Sequence, residues 1–295
     1  GTINPGIGQS EICAISNEDG SPLIEDGRLW FLITIRGRHL PHPMQGVYSM
    51  HPTVFDIRFE GMIVFDRGDG LLRNEVASHI VYDRESCEWR GFTVGFSCYG
   101  DPDKKVGKQI WAVSAKQHPR KGFSVMKSKP VEMPGSEEDP HVIYDPDAQK
   151  WRVLVCTQGG PGFPVIMLEA DQWDGPYRHI AGPADVNGTG GQLQKIGSEY
   201  YAIFGSSDRQ FYVYSYPDLK QFGALDMVRP PWDDKVNTRS WPNILPLPDG
   251  YPFPYMALSM DRVNYPGVPG WTYGALYLYH GYPKNGEREI YEYAE

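Results

Sequence analysis

SEEDPHVIYD, at residues 136–145, sets the pattern for the whole chain. Three carboxylates precede a short apolar run, a polar turn follows at residues 146–149, and a second apolar run begins at Trp151. A charged group buried without a partner costs on the order of several kcal/mol. An acidic cluster that leads directly into an apolar hairpin is therefore unusual for a core and marks this strand entrance as a candidate site.

The same frame occurs earlier in the chain. ASHIVYD at residues 77–83 is followed by a polar turn and then by EWRGF at residues 88–92. The histidines of the two copies, His79 and His141, are 62 residues apart. A frame that recurs at this distance indicates an internal repeat of one supersecondary unit.

The strand pattern recurs five times. Short apolar runs separated by Gly, Pro and Asp form five groups of about four strands, whose first strands begin near Glu11, His79, His141, Gln192 and Asn243. Radial repetition of four-stranded sheets is how β-propellers avoid exposed sheet edges. We therefore predict an all-β, five-bladed β-propeller with four-stranded blades, folded as a single domain over residues 1–295 with no strand exchanged between the two ends.

Composition excludes several classes of protein. The 295 residues are 40% hydrophobic and 22% charged, which is typical of a globular chain and not of a disordered one. The net charge of -9 argues against a nucleic-acid partner, and no apolar stretch of about 18 residues is present to span a membrane. The four cysteines form no C-x-x-C motif, and Cys13 and Cys156 are predicted to be buried free thiols.

Three further expectations concern location and local structure. The chain starts at Gly1 and not at Met, which is consistent with the removal of a leader peptide. We therefore expect a periplasmic or secreted protein rather than a cytoplasmic one. The basic run Lys116, Arg120 and Lys121 is expected to form a solvated hairpin tip. The glycine-rich residues 188–191 are expected to form a turn.

The chemistry is expected where the blades converge. The innermost strands of a propeller meet at its axis, so their entrances share one funnel. The polar residues near these entrances are Glu11, Glu75, His79, Glu137, Glu138, Asp139, His141, Gln192, Arg239, Trp241 and Asn243. Carboxyl groups from different blades suit glycoside hydrolysis, in which one protonates the leaving oxygen and another activates water or attacks carbon.

The carboxylates and one histidine are the predicted catalytic groups. Glu11 or Glu75 is expected to be the base or nucleophile, Glu138 or His141 the acid, and Asp139 a stabiliser or pKa modulator. Alternatives are open for most of these residues. Asp139 also suits a turn before proline, Glu11 an edge charge and Glu75 a pair with Arg73, and the two histidines suit inner-strand packing.

Four other entrance residues are predicted to bind the substrate. Arg239 suits a sugar carboxylate, and Trp241 suits a stacking face for a sugar ring. His79 and Gln192 complete this set. No cofactor is expected, and no tight ligand spacing supports a metal held by the two histidines. A structural Ca²⁺ or other metal at the propeller axis is left open.

The Asp-Pro motif carries a family resemblance. Residues 139–145 with Lys150 and Trp151 resemble the blade entrance of five-bladed propeller glycosidases such as glycoside hydrolase families 43, 32 and 130. The segments WDGPY, SYPDLKQF and YGALYL, at residues 173–177, 215–222 and 273–278, resemble their outer turns and last-blade strand. The resemblance implies a glycosidase with essential acids on separate blades, and Asp139 matches the Asp of the motif.

The resemblance has gaps. The first blade has Glu11 where families 43 and 32 have an Asp, and Asn4-Pro5-Gly6, similar to the Asn-Pro entrance of family 130, lies before that glutamate. The fourth entrance, Gly190-Gly191-Gln192, has no carboxylate. The proton donor is therefore not assigned by the family pattern.

Together these features predict an exo-acting glycosidase. We expect it to cleave a terminal glycosidic bond of a plant or algal oligo- or polysaccharide, by attack of water with inversion. Two alternatives are a glycoside phosphorylase, which requires a cationic phosphate pocket, and a non-catalytic sugar-binding propeller, which the acid-free fourth entrance favours.

Overall fold

In the computed structural model, every regular element of the described chain is a β-strand. The structure describes residues 7–37, 43–95, 109–135, 137–157, 162–228, 236–263, 276–284 and 287–291. Within these ranges, no helix is long and apolar enough to cross a membrane. The elements form five blades around one axis, as the repeat predicts.

The first two blades share the first eleven strands. These are β1 (Ile7–Ala14), β2 (Ser16–Asn17), β3 (Ile24–Glu25), β4 (Arg28–Gly37), β5 (Met44–Met50), β6 (Arg58–Asp66), β7 (Leu72–Arg73), β8 (Val76–Asp83), β9 (Glu88–Val94), β10 (Ile110–Ala115) and β11 (Gly122–Pro130). From the axis outward, blade one is β1-β4-β5-β6 and blade two is β8-β9-β10-β11.

Blades one and two are fused into a single eleven-stranded sheet. Their outermost strands, β6 and β11, pair in parallel, and near the axis β2 pairs in parallel with β8. The outer pairing requires a glycine, because a Cβ on Gly61 would lie 2.1 Å from the carbonyl oxygen of Gly122. The two blades thus enclose one apolar layer, which includes Trp30, Phe65 and Trp89.

The remaining three blades are separate sheets. Blade three is β12-β13-β14-β15, blade four is β16-β17-β18-β19, and blade five is β20-β22-β23-β24 with β21 also paired to β22. Their strands are β12 (Glu137–Asp145), β13 (Lys150–Thr157), β14 (Val165–Ala170), β15 (Arg178–Ala181), β16 (Gly188–Ile196), β17 (Glu199–Ser206), β18 (Phe211–Ser215), β19 (Gln221–Ala224), β20 (Val236–Ser240), β21 (Ile244–Pro246), β22 (Tyr255–Val263), β23 (Leu276–Lys284) and β24 (Glu287–Tyr291).

Each innermost strand has an irregularity at the same place. The pairing register shifts in β1, β8, β12 and β16, and in blade five the inner strand breaks between β20 and β21. A residue with positive φ marks each point: Glu11 (52°), Ala77 (50°), Asp139 (53°), Gly190 (57°) and Trp241 (52°). Such β-bulges re-aim side chains. We call these five residues the bulge ring.

The second residue after each bulge forms another ring, which we call the relay ring. Its members are Cys13, His79, His141, Gln192 and Asn243. Four of them accept a backbone amide from the next blade: Val142 donates to His79 (2.9 Å), Leu193 to His141 (3.2 Å), Ile244 to Gln192 (2.8 Å) and Ala14 to Asn243 (2.7 Å). These bonds satisfy buried amides and tie neighbouring blades together at the axis.

The structure corrects two local expectations. Residues 188–191 do not form a turn; they lie in β16, where Gly190 provides the positive φ of the bulge. Arg120 is not at a solvated tip: it is 1% exposed, pairs with Glu25, and its guanidinium lies between the rings of Trp30 and Trp89 at 4.7 and 4.8 Å. Lys116 and Lys121 are exposed as expected, and Cys13 and Cys156 are buried free thiols.

Candidate active site

Two of the five bulge-ring residues are carboxylic acids, Glu11 on blade one and Asp139 on blade three. Glu11 is 3% exposed, and Asp139 is half-buried. A positive φ at a non-glycine residue costs on the order of 1 kcal/mol or more and is kept only where the surrounding structure enforces it. Here the ladders of β1 and β12 continue on both sides of the bulge, so each acid is held in a fixed backbone frame.

Asp139 of blade three lies within electrostatic range of the inner strand of blade one. Burial raises the pKa of the Cys13 thiol, two residues after Glu11, and the charge of Asp139 raises it further. Asp139 also accepts a hydrogen bond from the Thr189 hydroxyl of blade four, with 2.8 Å between Oγ1 and Oδ2. Asp139 therefore interacts with the inner strands of both blade one and blade four.

Two more carboxyl groups precede Asp139 on β12. Glu138 is half-buried and lies opposite Cys156, whereas Glu137 is buried and lies opposite Thr157. Successive residues of a strand point to opposite faces, so the two side chains face different neighbouring blades. Burial raises the pKa of the Glu137 carboxyl, partly offset by backbone hydrogen bonds from Gly135 and from its own amide.

Glu137 is a candidate proton donor in addition to Glu138 and His141, the two that the sequence predicts. A carboxyl whose pKa is raised retains its proton closer to neutral pH, as a general acid requires. The sequence does show the acidic triplet of residues 137–139. Which of the three carboxyl groups is buried depends on the pairing register of β12 with β13, and the bulge at Asp139 sets that register.

Glu75 lies in a different environment from the one expected. It is 0% exposed and pairs with Arg67, whose side chain is also buried and stacks over the Trp111 ring at 3.9 Å. Arg73, the partner considered from the sequence, pairs with Asp69 instead. Glu75 therefore joins blade one to blade two through a buried ion pair, and we assign it to the blade junction.

The two histidines of the repeat belong to the relay ring. Both are buried, their rings stack with centroids 3.7 Å apart, and each uses Nδ1 to accept an amide of the next blade. Burial lowers the pKa of His79 to about 3, and burial together with His79 lowers the pKa of His141 well below its usual value. Neutral imidazoles with an occupied Nδ1 suit a structural role better than the predicted acid or substrate-binding roles.

Cys13, His79 and His141 also bring potential metal ligands together, with ligand atoms within 4.8 Å of one another. An ion bound by imidazole lies near the ring plane at about 2.0–2.1 Å from nitrogen. The two rings are only 18° from parallel, so their in-plane lone pairs do not converge on one point. As arranged, the three side chains pack against one another and do not form a chelate.

The other three predicted binding residues have different surroundings. Gln192 accepts a hydrogen bond from the Ile244 amide at 2.8 Å and donates one to the Ile244 carbonyl at 3.0 Å. It therefore joins blade four to blade five, as three other relay-ring residues join their blades. Trp241 is 5% exposed and packs in the apolar layer between blades five and one, so little of its ring faces solvent. Arg239 is in β20, but its side chain lies outside the described residues.

The described candidate site therefore has acids on two blades. Glu11 and Asp139 occupy bulge positions, Glu137 and Glu138 precede the second bulge, and Ala77 and Gly190 leave the bulges of blades two and four small. A carboxyl group with a raised pKa on blade three and a further carboxyl group on blade one are the types of group that acid–base chemistry on an acetal requires.

Comparison with known proteins identifies the fold. No protein-family model matches the sequence, and no curated protein matches it either. Solved structures do match: a thermostable family-43 glycoside hydrolase has a TM-score of 0.64 at 13% identity, covering 96% of this chain and 93% of that one. Levansucrase of Bacillus subtilis, solved in complex with oligosaccharides, has a TM-score of 0.63 at 10% identity, covering 98% and 87%.

A levansucrase of B. megaterium is a third match, with a TM-score of 0.59 at 10% identity over 97% of this chain and 85% of that one. At such low identities the likeness shows the fold alone. Since these matches span nearly the whole chain, all five blades contribute to the likeness. The chain therefore has the five-bladed β-propeller fold that family-43 glycoside hydrolases and levansucrases share.

Proposed function

We propose that the protein is a glycoside hydrolase that cleaves a terminal glycosidic bond of a plant or algal oligosaccharide in the funnel of the bulge ring. The observation that supports this most is the placement of Glu11 and Asp139 at equivalent bulges of two different blades. Enzymes of known structure that act on glycosides share the fold, which favours the same class of substrate.

In the proposed reaction, three carboxyl groups have separate roles. Glu137, whose pKa burial raises, gives its proton to the glycosidic oxygen as the bond to the anomeric carbon breaks. Glu11 accepts a proton from the water that attacks the anomeric carbon from the opposite side, which inverts its configuration. Asp139 stabilises the positive charge that develops on the sugar ring.

The assignment is tested by an assay of reducing-sugar release from plant and algal oligosaccharides. We expect phosphate-independent turnover by the wild type and a loss of at least about 100-fold in kcat for Glu11→Gln and for Asp139→Asn. NMR of the first-formed anomer should show inversion. Wild-type rates in both variants would rule out the proposed centre, and turnover that requires phosphate would indicate a phosphorylase.

The proton donor is tested with two leaving groups. Glu137→Gln should be slow on a natural oligosaccharide but much less impaired on an activated aryl glycoside, because a good leaving group does not require protonation. Glu138→Gln is the matched control on the adjacent residue. If only Glu138→Gln shows this dependence on the leaving group, Glu138 is the acid.

A sugar-binding propeller without catalysis is the second candidate. It is favoured by one observation: the bulge of blade four carries Gly190, so that blade has no acid at the bulge. Isothermal calorimetry separates the two candidates. Saturable binding of an oligosaccharide that the wild type never cleaves would favour the binding protein.

A further inference from the structure

Blade four contributes a hydroxyl group to the bulge ring where an acid is absent. Thr189 directly precedes Gly190, and its Oγ1 donates a hydrogen bond of 2.8 Å to Asp139 Oδ2 on blade three. Thr189 is buried, and its partner across the ladder of β16 and β17 is Gly205, which has no side chain to compete for space.

The residue after Thr189, Gly190, is held from the other side by blade five. The Trp241 amide donates to the carbonyl of Gly190 at 2.9 Å. A Cβ on residue 190 would lie 2.5 Å from the Trp241 ring, closer than real contacts allow. The indole thus prevents any side chain at the bulge of blade four and leaves Thr189 as the polar group that reaches Asp139.

We infer that Thr189 is a positioning residue that orients the Asp139 carboxylate toward the substrate. This inference rests on the proposed function, since it takes Asp139 as a group that acts on the sugar. A hydroxyl that donates to Oδ2 holds one carboxylate oxygen and leaves Oδ1 to face the reacting ring. Because Thr189 and Asp139 are on different blades, the bond also fixes the distance between blades three and four at the funnel.

The test compares Thr189→Val, which keeps the shape and removes the hydroxyl, with Thr189→Ser, which keeps the hydroxyl. We expect Thr189→Val to lower kcat by about 10- to 100-fold with KM within about 3-fold of wild type, because orientation of a catalytic group affects the reaction step. Thr189→Ser should restore most of kcat. Equal rates for wild type and Thr189→Val, or equal losses in both variants, would overturn the inference.

A crystal structure of each variant makes the test independent of turnover. In Thr189→Val the Asp139 carboxylate should leave its present rotamer or lose its order, and in Thr189→Ser it should stay. If the wild type cleaves no glycan, the proposed function fails, but these structures still decide the inference. An unchanged Asp139 in Thr189→Val would overturn it whatever the activity.

Discussion

In the part of the chain that the structure describes, blades one and two are joined differently from the other pairs of neighbouring blades. At the other four junctions, a relay-ring side chain accepts a backbone amide of the next blade, as His79 and Asn243 do. At the first junction the relay position is Cys13, whose thiol makes no hydrogen bond to blade two among the described residues. There the outer strands β6 and β11 pair instead, and a buried ion pair crosses the junction.

Other side chains of blade one replace the missing relay bond. Thr34 on β4 accepts the Ala77 amide at 3.4 Å, and Gln45 on β5 accepts the Ser78 amide at 3.3 Å. The bulge of blade two is thus held by the second and third strands of blade one. The first junction is therefore closed by side chains of β4 and β5 and by backbone pairing of β6 with β11 at the rim, whereas each of the other four has a relay bond at the axis.

The largest effect is expected at the fused junction. Glu75→Gln removes the charge that balances Arg67, and breaking one partner of a buried ion pair costs about 3–5 kcal/mol of unfolding free energy. Denaturant unfolding measures this loss. The paired replacement Arg67→Met with Glu75→Leu is the control and should recover most of the stability. A Glu75→Gln variant that is fully stable but inactive would restore Glu75 as a catalytic candidate.

Asn243→Ala should have the next largest effect, at the junction of blades five and one. Asn243 accepts the Ala14 amide at 2.7 Å and donates to the carbonyls of Ile12, Trp241 and Leu258, and its φ is 40°. Loss of these partners in a buried site should cost about 2–3 kcal/mol in the same unfolding experiment. A cost below about 0.5 kcal/mol would show that the relay ring does not hold the blades together.

The two relay histidines predict a dependence of stability on pH. Burial lowers the pKa of His79 in the folded protein to about 3, below the unfolded value near 6.5, so the unfolded state binds the extra proton between these values. The stability that the neutral histidine contributes to the folded state is complete above pH 6.5. It is lost as pH falls toward 3, by about 1.4 kcal/mol of unfolding free energy per pH unit for each such histidine.

The matched control for this pH effect is present in the chain, since Gln192 performs the same relay on blade four. His79→Gln and His141→Gln should fold at neutral pH and lose less stability than wild type between pH 6.5 and 4.5. Parallel curves for wild type and both variants would contradict the relay assignment of the histidines.

Cys13→Ala should have the smallest effect. Because the thiol makes no hydrogen bond across the first junction in the described structure, only its packing is lost, which amounts to about 1 kcal/mol. A loss as large as that of Asn243→Ala would mean that the two kinds of junction do not differ at the axis.

The blades were predictable from sequence because each short apolar run corresponds to one buried strand. The five first strands, the buried Cys13 and Cys156, and the entrance at Asp139 all follow from such patterns. The bulge ring was not predictable, because a register shift depends on the partner strand. Residues 188–191 illustrate this: their glycines suggest a turn, yet they continue β16.

The roles of the buried polar residues were not predictable either, because their partners are distant in sequence. The repeat revealed His79 and His141 as equivalent, but each accepts an amide from a strand more than 50 residues away. The sequence likewise predicts Arg120 to be a surface charge. In the fold, Trp30 and Trp89 from two other strands enclose its guanidinium. Of the candidate catalytic groups, Glu11 and Asp139 were identifiable from sequence, whereas the burial of Glu137 required the register of β12.

A crystal structure of Glu11→Gln, soaked with an oligosaccharide that the wild type cleaves, would test the proposed catalytic centre directly. We expect an intact sugar chain at the bulge ring, with the scissile bond between residue 11 and Asp139 and the leaving oxygen within hydrogen-bond distance of Glu137. An oligosaccharide bound outside the bulge ring, or one whose scissile bond lies away from both blades one and three, would contradict the proposed centre.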